Sequence, residues 1–220
     1  VLSTEICLSE TQIVIQLLSA LMYTEQNSAN IQHLLVVMYT TMHVASSTSC
    51  STFADHILSQ LNGTLRANPP KGWTTQVILV AFDVIACMCD LHKKKLSPKR
   101  IVSSIMSYLK THMLLINERG TAKSEASSRG KDSTKDVTFF ADIQLLIKAA
   151  LVCLSKWVMA NPEILAVVVT TPAAAGQFEE NLASGLIRLA WEASCSDALH
   201  EETQAPAVVL HHFIMRRPRE

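Results

Sequence analysis

The sequence predicts an all-α chain of antiparallel helix pairs stacked on one another, about eight or nine helices with one disordered insertion. Three observations predict it. Apolar residues recur at i, i+3, i+4 and i+7 through most of the chain, not in alternation. Glycine is scarce, 6 in 220 residues, which suits helix interiors joined by short turns. A capping residue followed by proline marks helix starts at Ser97-Pro98 and at Asn161-Pro162.

The elements follow in order. Ile6, Ile13, Leu17, Leu18, Leu21 and Met22 form a first stripe that ends between Tyr23 and Asn30. Ile31, Leu34, Leu35, Met38 and Met42 form a second, broken by the Ser/Thr cluster Ser46 to Thr52. Phe53, Ile57, Leu58, Leu61 and Leu65 form a third, stopped by Asn68-Pro69-Pro70-Lys71-Gly72. Trp73 opens a segment to about Lys94 whose apolar residues cover most of the circumference, as in a helix buried between neighbours. A strand over Val77 to Phe82 competes on β-branching alone. His92 and Lys93 to Lys95 suit the negative end of that helix, with a ligand patch as the competing reading. Helix Lys99 to Ile116 follows the Ser97-Pro98 start.

Asn117 to Asp136 has no aromatic or large aliphatic residue and mixed charges, and reads as a flexible polar insertion. Ser133 to Asp136 fits a capping box and also an acid-directed phosphorylation site; Ser124, Ser127 and Ser128 are further phosphorylation candidates. A helix over Val137 to Ala160 carries Phe140, Ile143, Ile147, Leu151, Leu154 and Trp157. A short segment Glu163 to Thr170, a helix Gln177 to Ser194, a polar connection and a last helix from Pro206 to Met215 complete the chain. The organisation expected is helix pairs over 1–116, the insertion 117–136, and further pairs over 137–220.

The two cap-proline junctions lie 64 residues apart, and the same shift places Ala86 on Ala150, Cys89 on Cys153, Ile101 on Leu165 and Ile105 on Val169. Without the insertion of roughly 20 residues the period is about 44, inside the range of about 40 to 47 shown by helix-pair repeats.

The composition narrows function. With 19 Lys+Arg against 19 Asp+Glu the formal charge is zero, which argues against nucleic-acid binding by bulk positive charge. With 49% hydrophobic residues the chain can bury enough surface to fold. Charged residues are only 17%, against about 25% in usual soluble domains, so some faces are expected to be covered by neighbouring repeats of the same chain or by protein partners. Val1 at one end and the abrupt Arg216 to Glu220 at the other read as a piece of a larger protein. Six scattered cysteines (Cys7, Cys50, Cys87, Cys89, Cys153 and Cys195) read as small buried hydrophobes in a reducing, cytoplasmic compartment. Asn62-Gly63-Thr64 is a glycosylation triplet that reads better as a helix-ending turn. The apolar runs are too short or too charged for a membrane span; Ile143 to Ala160 contains Lys148 and Lys156.

No local motif supplies chemistry. Gly130-Lys131 lacks the rest of a phosphate loop, and no Gly-x-Ser-x-Gly elbow is present. His200 to Gln204 begins like a zinc-protease motif but lacks the second histidine. Cys87 and Cys89 point about 200° apart on a helix, so only Cys89 and His92 share a face, and core packing is favoured over a metal. His211-His212 diverge in the same way. Trp73, Trp157 and Trp191 lie at the start of or within apolar stripes and are expected in the core, with binding aromatics as the alternative. Met22, Met38 and Met42 read as core, with an adaptable partner groove as the alternative. No catalytic residue, cofactor, metal or small-molecule ligand is assigned.

Paired helices with a proline near the turn resemble the HEAT and armadillo-type α-solenoids. The stretch Cys153 to Pro162, CLSKWVMANP, resembles helix ends in the helical scaffold regions of Ral GTPase-activating complexes and tuberin-like proteins. The resemblance covers those ten residues of 220. It implies scaffolding or subunit contact, within a GTPase-activating or trafficking complex. Those families hold catalysis in a separate domain that nothing here matches. The expected function is therefore a non-catalytic helical scaffold segment acting through protein–protein contact, with a membrane-associated helical domain or a helical enzyme as alternatives.

Overall fold

The computed structural model describes residues 2–43, 47–65, 70–91, 96–126, 133–165 and 182–216. Among these residues it is all-helical, with no strand. The helices are α1 (Leu2–Thr24), α2 (Ser28–Thr41), α3 (Ser47–Gly63), α4 (Thr75–Leu91), α5 (Pro98–Ala126), α6 (Ser133–Ala160), α7 (Leu182–Ser194) and α8 (Glu201–Met215), with a 3-10 turn at Pro162–Leu165. Val77 to Phe82 lies in α4, so the strand alternative is gone. The chain forms two compact units, Val1–Tyr108 and Leu109–Glu220, and the division falls within α5.

In the first unit α1 packs on α2 and α3, and α4 packs on α2 and α3. Ile15 and Met22 of α1, Ile31, Leu35 and Met38 of α2, and Phe53, Ile57 and Leu61 of α3 are all buried. Each such side chain contributes roughly 1.5–3 kcal/mol on burial. α4 is buried over more than half its circumference, from Val77 and Ile78 round to Ala86, while Asp83 faces outward. Tyr108 is buried edge-on to Phe82, with ring centroids 5.0 Å apart. Arg100 at the start of α5 pairs with Asp55 of α3 at 3.0 Å.

The corner between α1 and α2 is built from short polar side chains. Asn27 caps α2, its side-chain oxygen accepting from the amides of Ala29 at 2.9 Å and Asn30 at 3.4 Å. The Glu25 carboxylate accepts from the amides of Asn27 and Gln26 and from the Asn30 side chain. These bonds, the Asn27 amide first, hold its pKa below the ordinary carboxylate value. Gly72 closes against this corner with φ +80°. A Cβ there would meet the Gln26 carbonyl oxygen at 2.6 Å and Ile31 Cδ1 at 2.7 Å, so the position requires glycine.

In the second unit α8 packs on α6 and α7, and the 3-10 turn joins α6 to α7. Ile147, Leu151, Leu154 and Trp157 of α6 meet a core completed by Leu186 and Leu189 of α7 and Leu210 of α8. Ala183, Gly185, Ala190 and Ala193 are also buried on α7, where small side chains let a neighbouring helix approach closely. Phe139–Ala160 is long and apolar enough to cross a membrane by length and composition, although sequence reading set this stretch aside for its two lysines; most of it is buried inside the unit.

Several boundaries differ from the sequence reading. The Ser/Thr cluster after α2 is largely helical, since α3 starts at Ser47; Cys50 is buried there, its thiol 3.6 Å from the Met42 carbonyl oxygen. Burial overrides the weak propensity of serine and threonine. α5 runs to Ala126 and α6 begins at Ser133, so helix enters the expected insertion from both sides; residues 127–132 lie outside the described residues. Glu118, Ala122, Lys123, Glu125 and Ala126 are good helix formers that carry no apolar period. α8 starts at Glu201, with Pro206 inside it. Proline there removes a single helical hydrogen bond, while Glu201 and Glu202 favour the helix start.

At Asn161-Pro162 the asparagine turns backward. Its side-chain nitrogen donates to the Trp157 carbonyl at 2.9 Å, so it closes the end of α6, while its own carbonyl accepts from Ile164 N. The expected short segment is a 3-10 turn over Pro162–Leu165, and residues 166–181 lie outside the described residues.

Candidate functional site

The second unit has an open groove of about 740 Å³. α5 supplies one wall with Lys110, Met113, Leu114 and Asn117. These lie at i, i+3, i+4 and i+7, so one face of α5 lines the groove. α7 supplies the other wall with Arg188, Trp191 and Glu192, at i, i+3 and i+4, together with the buried Leu189; Cys195, just past the helix end, and the connection Ser196 to Ala198 close it. Met113 and Leu189 are buried. Leu114 is 59% exposed and Trp191 is 55% exposed.

The closing connection is held by two glutamines. The buried Gln144 of α6 donates to the Ala198 carbonyl at 2.7 Å and accepts from the His200 amide at 3.1 Å. Gln204 of α8 donates to the carbonyls of Ser196 at 2.7 Å and Leu199 at 3.1 Å. Four polar backbone groups are thereby satisfied. Trp191 is braced from the side by His211 of α8, with ring centroids 5.4 Å apart. Arg188 and Glu192 form an i, i+4 pair at 3.6 Å with both side chains half exposed, a weak surface interaction.

The structure redistributes the residues singled out from sequence. Trp73 and Trp157 are buried as expected, but Trp191 is not. It lies two residues beyond the buried Leu189, about 200° round the helix, and is 55% exposed at the rim of the groove that both residues line. Met22, Met38 and Met42 are fully buried, which leaves no methionine groove at those positions. Cys50, Cys89 and Cys153 are buried and Cys195 is exposed at the groove; Cys7 and His92 lie outside what is described of side chains. Ser124 lies in α5 and Ser133 is the first residue of α6; Ser127 and Ser128 lie outside the described residues. Among the described residues no group of three or more His, Cys, Asp or Glu could hold a metal ion.

Besides Glu25, Tyr108 and His56 of the first unit depart from their ordinary values. Burial raises the Tyr108 phenol well above its usual range, opposed by a hydrogen bond to Thr64. Burial also lowers His56, opposed by the neighbouring Asp55 carboxylate. His56 Nδ1 is buried without a hydrogen-bond partner, and its ring lies edge-on to Tyr23 at 5.0 Å.

Sequence reasoning missed the groove. The signal was available in the helical wheel of α7, which puts Trp191 opposite Leu189, but the α5 wall arises only from tertiary packing. No family model, curated protein or solved structure matches the chain.

Proposed function

We propose that the chain is a non-catalytic scaffold segment that works by protein–protein contact, each unit being a short stack of helical hairpins of the HEAT type. The observation that carries the contact reading is the outward face of α1. Ile13, Val14, Leu17 and Leu21 are all exposed there, Leu17 by 60%, while Ile15 and Met22 of the same helix are buried. A helix apolar on two opposite faces is one meant to be covered on both.

The hairpin reading is supported by which helices pair. In two stacked hairpins the first helices adjoin each other, as do the second. α1 with α3 and α2 with α4 are among the main pairings, beside α1 with α2 and α3 with α4. An up-and-down bundle would instead bring α2 beside α3, and that pair is not among the main pairings of the described residues. In the second unit α6 adjoins α8 and α7 adjoins α8, in keeping with the same scheme. Of the pairs matched by the 64-residue echo, Ala86 and Ala150 are both buried, as are Cys89 and Cys153; Ile101 is buried where Leu165 is only partly so, and Val169 lies outside the described residues.

What supports a GTPase-activating or trafficking complex as the setting is the likeness of Cys153 to Pro162. Within it Trp157 and Val158 are core residues and Asn161 closes α6. The likeness therefore bears on how the scaffold is built and names no contact surface.

The test is a photo-crosslinker at position 17 of the full-length protein in cells, compared with the same probe at the exposed polar position Gln76. Discrete protein adducts at 17, absent at 76 and lost with Leu21→Lys, are expected. Equal yields at both positions overturn the reading.

A further inference from the structure

We propose that α1 of one copy of this chain docks antiparallel on α8 of a second copy, a head-to-tail contact in which the Glu10 end of α1 meets the Arg216 end of α8. This rests on the scaffold reading and names the partner that covers the outward face of α1.

The two helices expose matching seams. On α1 the exposed Val14, Leu17, Leu21 and Thr24 follow one another at gaps of three, four and three residues. On α8 the exposed Ala205, Val208, His212 and Met215 show the same gaps, read in either direction. Gaps alternating between three and four keep a seam on one side of a helix, and two such seams interdigitate along their length. The pairing covers about three turns of each helix. Ile15 and Met22 hold α1 to its own unit, and Ala207 and Leu210 hold α8 to its own, so both seams are left over for another molecule.

Charge selects the occupant and its direction. The first 65 residues hold no lysine or arginine, so all 19 such cations of the chain lie beyond them. Glu10 is exposed one turn before Val14 on the same seam, with no lysine or arginine on α1 or on the helices α2 and α3 packed against it. Arg216 is exposed directly after Met215, and the sequence continues with Arg217 and Arg219. In the antiparallel register Val14 lies over Met215 and Thr24 over Ala205. That carries Glu10 to the Arg216 end and leaves Glu201 beyond the end of α1. A parallel pairing would set Glu10 over Glu201, and like charges oppose it. Glu25, at the other end of α1, does not decide the direction, because its carboxylate already accepts three bonds within the α1–α2 corner. Pairing α1 with α1 of a second copy would leave Glu10 without a cation in either direction. An anionic membrane would meet Glu10 and no lysine or arginine of the first three helices.

A contact between unlike surfaces leaves one α1 and one α8 free on every dimer, so further copies add to it. The mean mass of the intact chain in analytical ultracentrifugation should therefore rise through a concentration series. Leu17→Lys and Val208→Glu each remove one of the two surfaces and should weaken association about tenfold or more. Both positions are exposed, so each variant should keep the helical circular dichroism of the parent. Mixed in equal amounts, the two variants should associate again, through the intact α8 of the first and the intact α1 of the second, and stop at dimers. Glu10→Lys should weaken association several-fold. A photo-crosslinker at position 17, with isotopically labelled copies mixed in, should join peptides around Val208 and Met215 of a different copy. A chain that stays monomeric throughout, a Val208→Glu variant that associates as the parent does, or a mixture no better than its parts overturns the proposal. Adducts at position 17 in cells with an unrelated protein, and none with a second copy, would sink this proposal while the scaffold reading stands.

Discussion

The outward face of α1 and the α5–α7 groove both leave large apolar side chains in water, yet they are different kinds of surface. On α1 the exposed Ile13, Val14, Leu17 and Leu21 fall within an arc of about 100° and are all aliphatic. α1 has no lysine, arginine or histidine at all. The groove is concave, offers one indole, interleaves charges of both signs and has a clamped wall. A ridge of aliphatic groups gains by area alone, without direction, and suits cover by whatever packs there permanently. Placed charges around an apolar anchor discriminate between partners. The difference is one of chemistry, an aliphatic ridge on α1 against a mixed polar and aromatic lining in the groove.

The largest effect expected separates the two tryptophans of the second unit. Trp157 is 0% exposed in the core, so Trp157→Ala should cost about 3–5 kcal/mol, read as a lower midpoint of urea unfolding. Trp191→Ala should change stability by about 0.5 kcal/mol or less, as exposed positions do. If the two variants unfold alike, Trp191 is a core residue and the groove has been misassigned.

The next effect bears on α1. Gly72→Ala forces a positive φ on alanine and drives its Cβ into the Gln26 carbonyl. Strain of this kind costs of order 1–3 kcal/mol. The loss should appear in thermal unfolding of the first unit, with faster amide exchange at Gln26 and Asn27. An unchanged melting temperature would show that the α1–α2 corner is free to move, and that the outward face of α1 is not a fixed surface.

How far the sequence revealed this depends on the kind of residue. The helices and their buried stripes were legible because period and burial coincide in α2, α4 and α6. Asn161-Pro162 reads as the start of the next element, since a cap-proline dipeptide looks the same whichever helix its side chain serves, and its bond back to Trp157 is not visible in sequence. The end of α5 beyond Ile116 is hard to read because a solvated helix end has propensity without apolar period. Trp191 lies within an apolar stretch and so reads as core, although the same angular step that parts Cys87 from Cys89 parts it from Leu189. The groove's α5 wall was not legible, because nothing local ties Leu114 to Trp191.

A smaller effect tests the groove wall. Gln144→Ala removes both bonds to the 198–200 backbone and leaves those part-buried groups to water. A fully buried group of this kind costs about 1–3 kcal/mol, and less where water enters. Exchange of the His200 amide should accelerate while the helical circular dichroism stays that of the parent. Unchanged exchange would show that the 198–200 connection is held without Gln144.

The smallest effect is a pH dependence confined to the α1 side. His56 of α3 faces Tyr23 of α1 and sits beside Asp55, whose carboxylate is shared with Arg100. Burial lowers its pKa below the ordinary 6.5, and Asp55 only partly opposes this. A folded-state pKa below the unfolded one means that folding favours the neutral ring. Its contribution to stability is therefore complete above pH 6.5 and is lost as the pH falls through the folded value. Unfolding midpoints of the first unit should drop between about pH 8 and about pH 5, and His56→Gln should shrink that drop. Exchange at Tyr23 and Thr24 should rise over the same interval, and less so in His56→Gln. A rise of equal size in His56→Gln would place its origin at a titratable group other than His56.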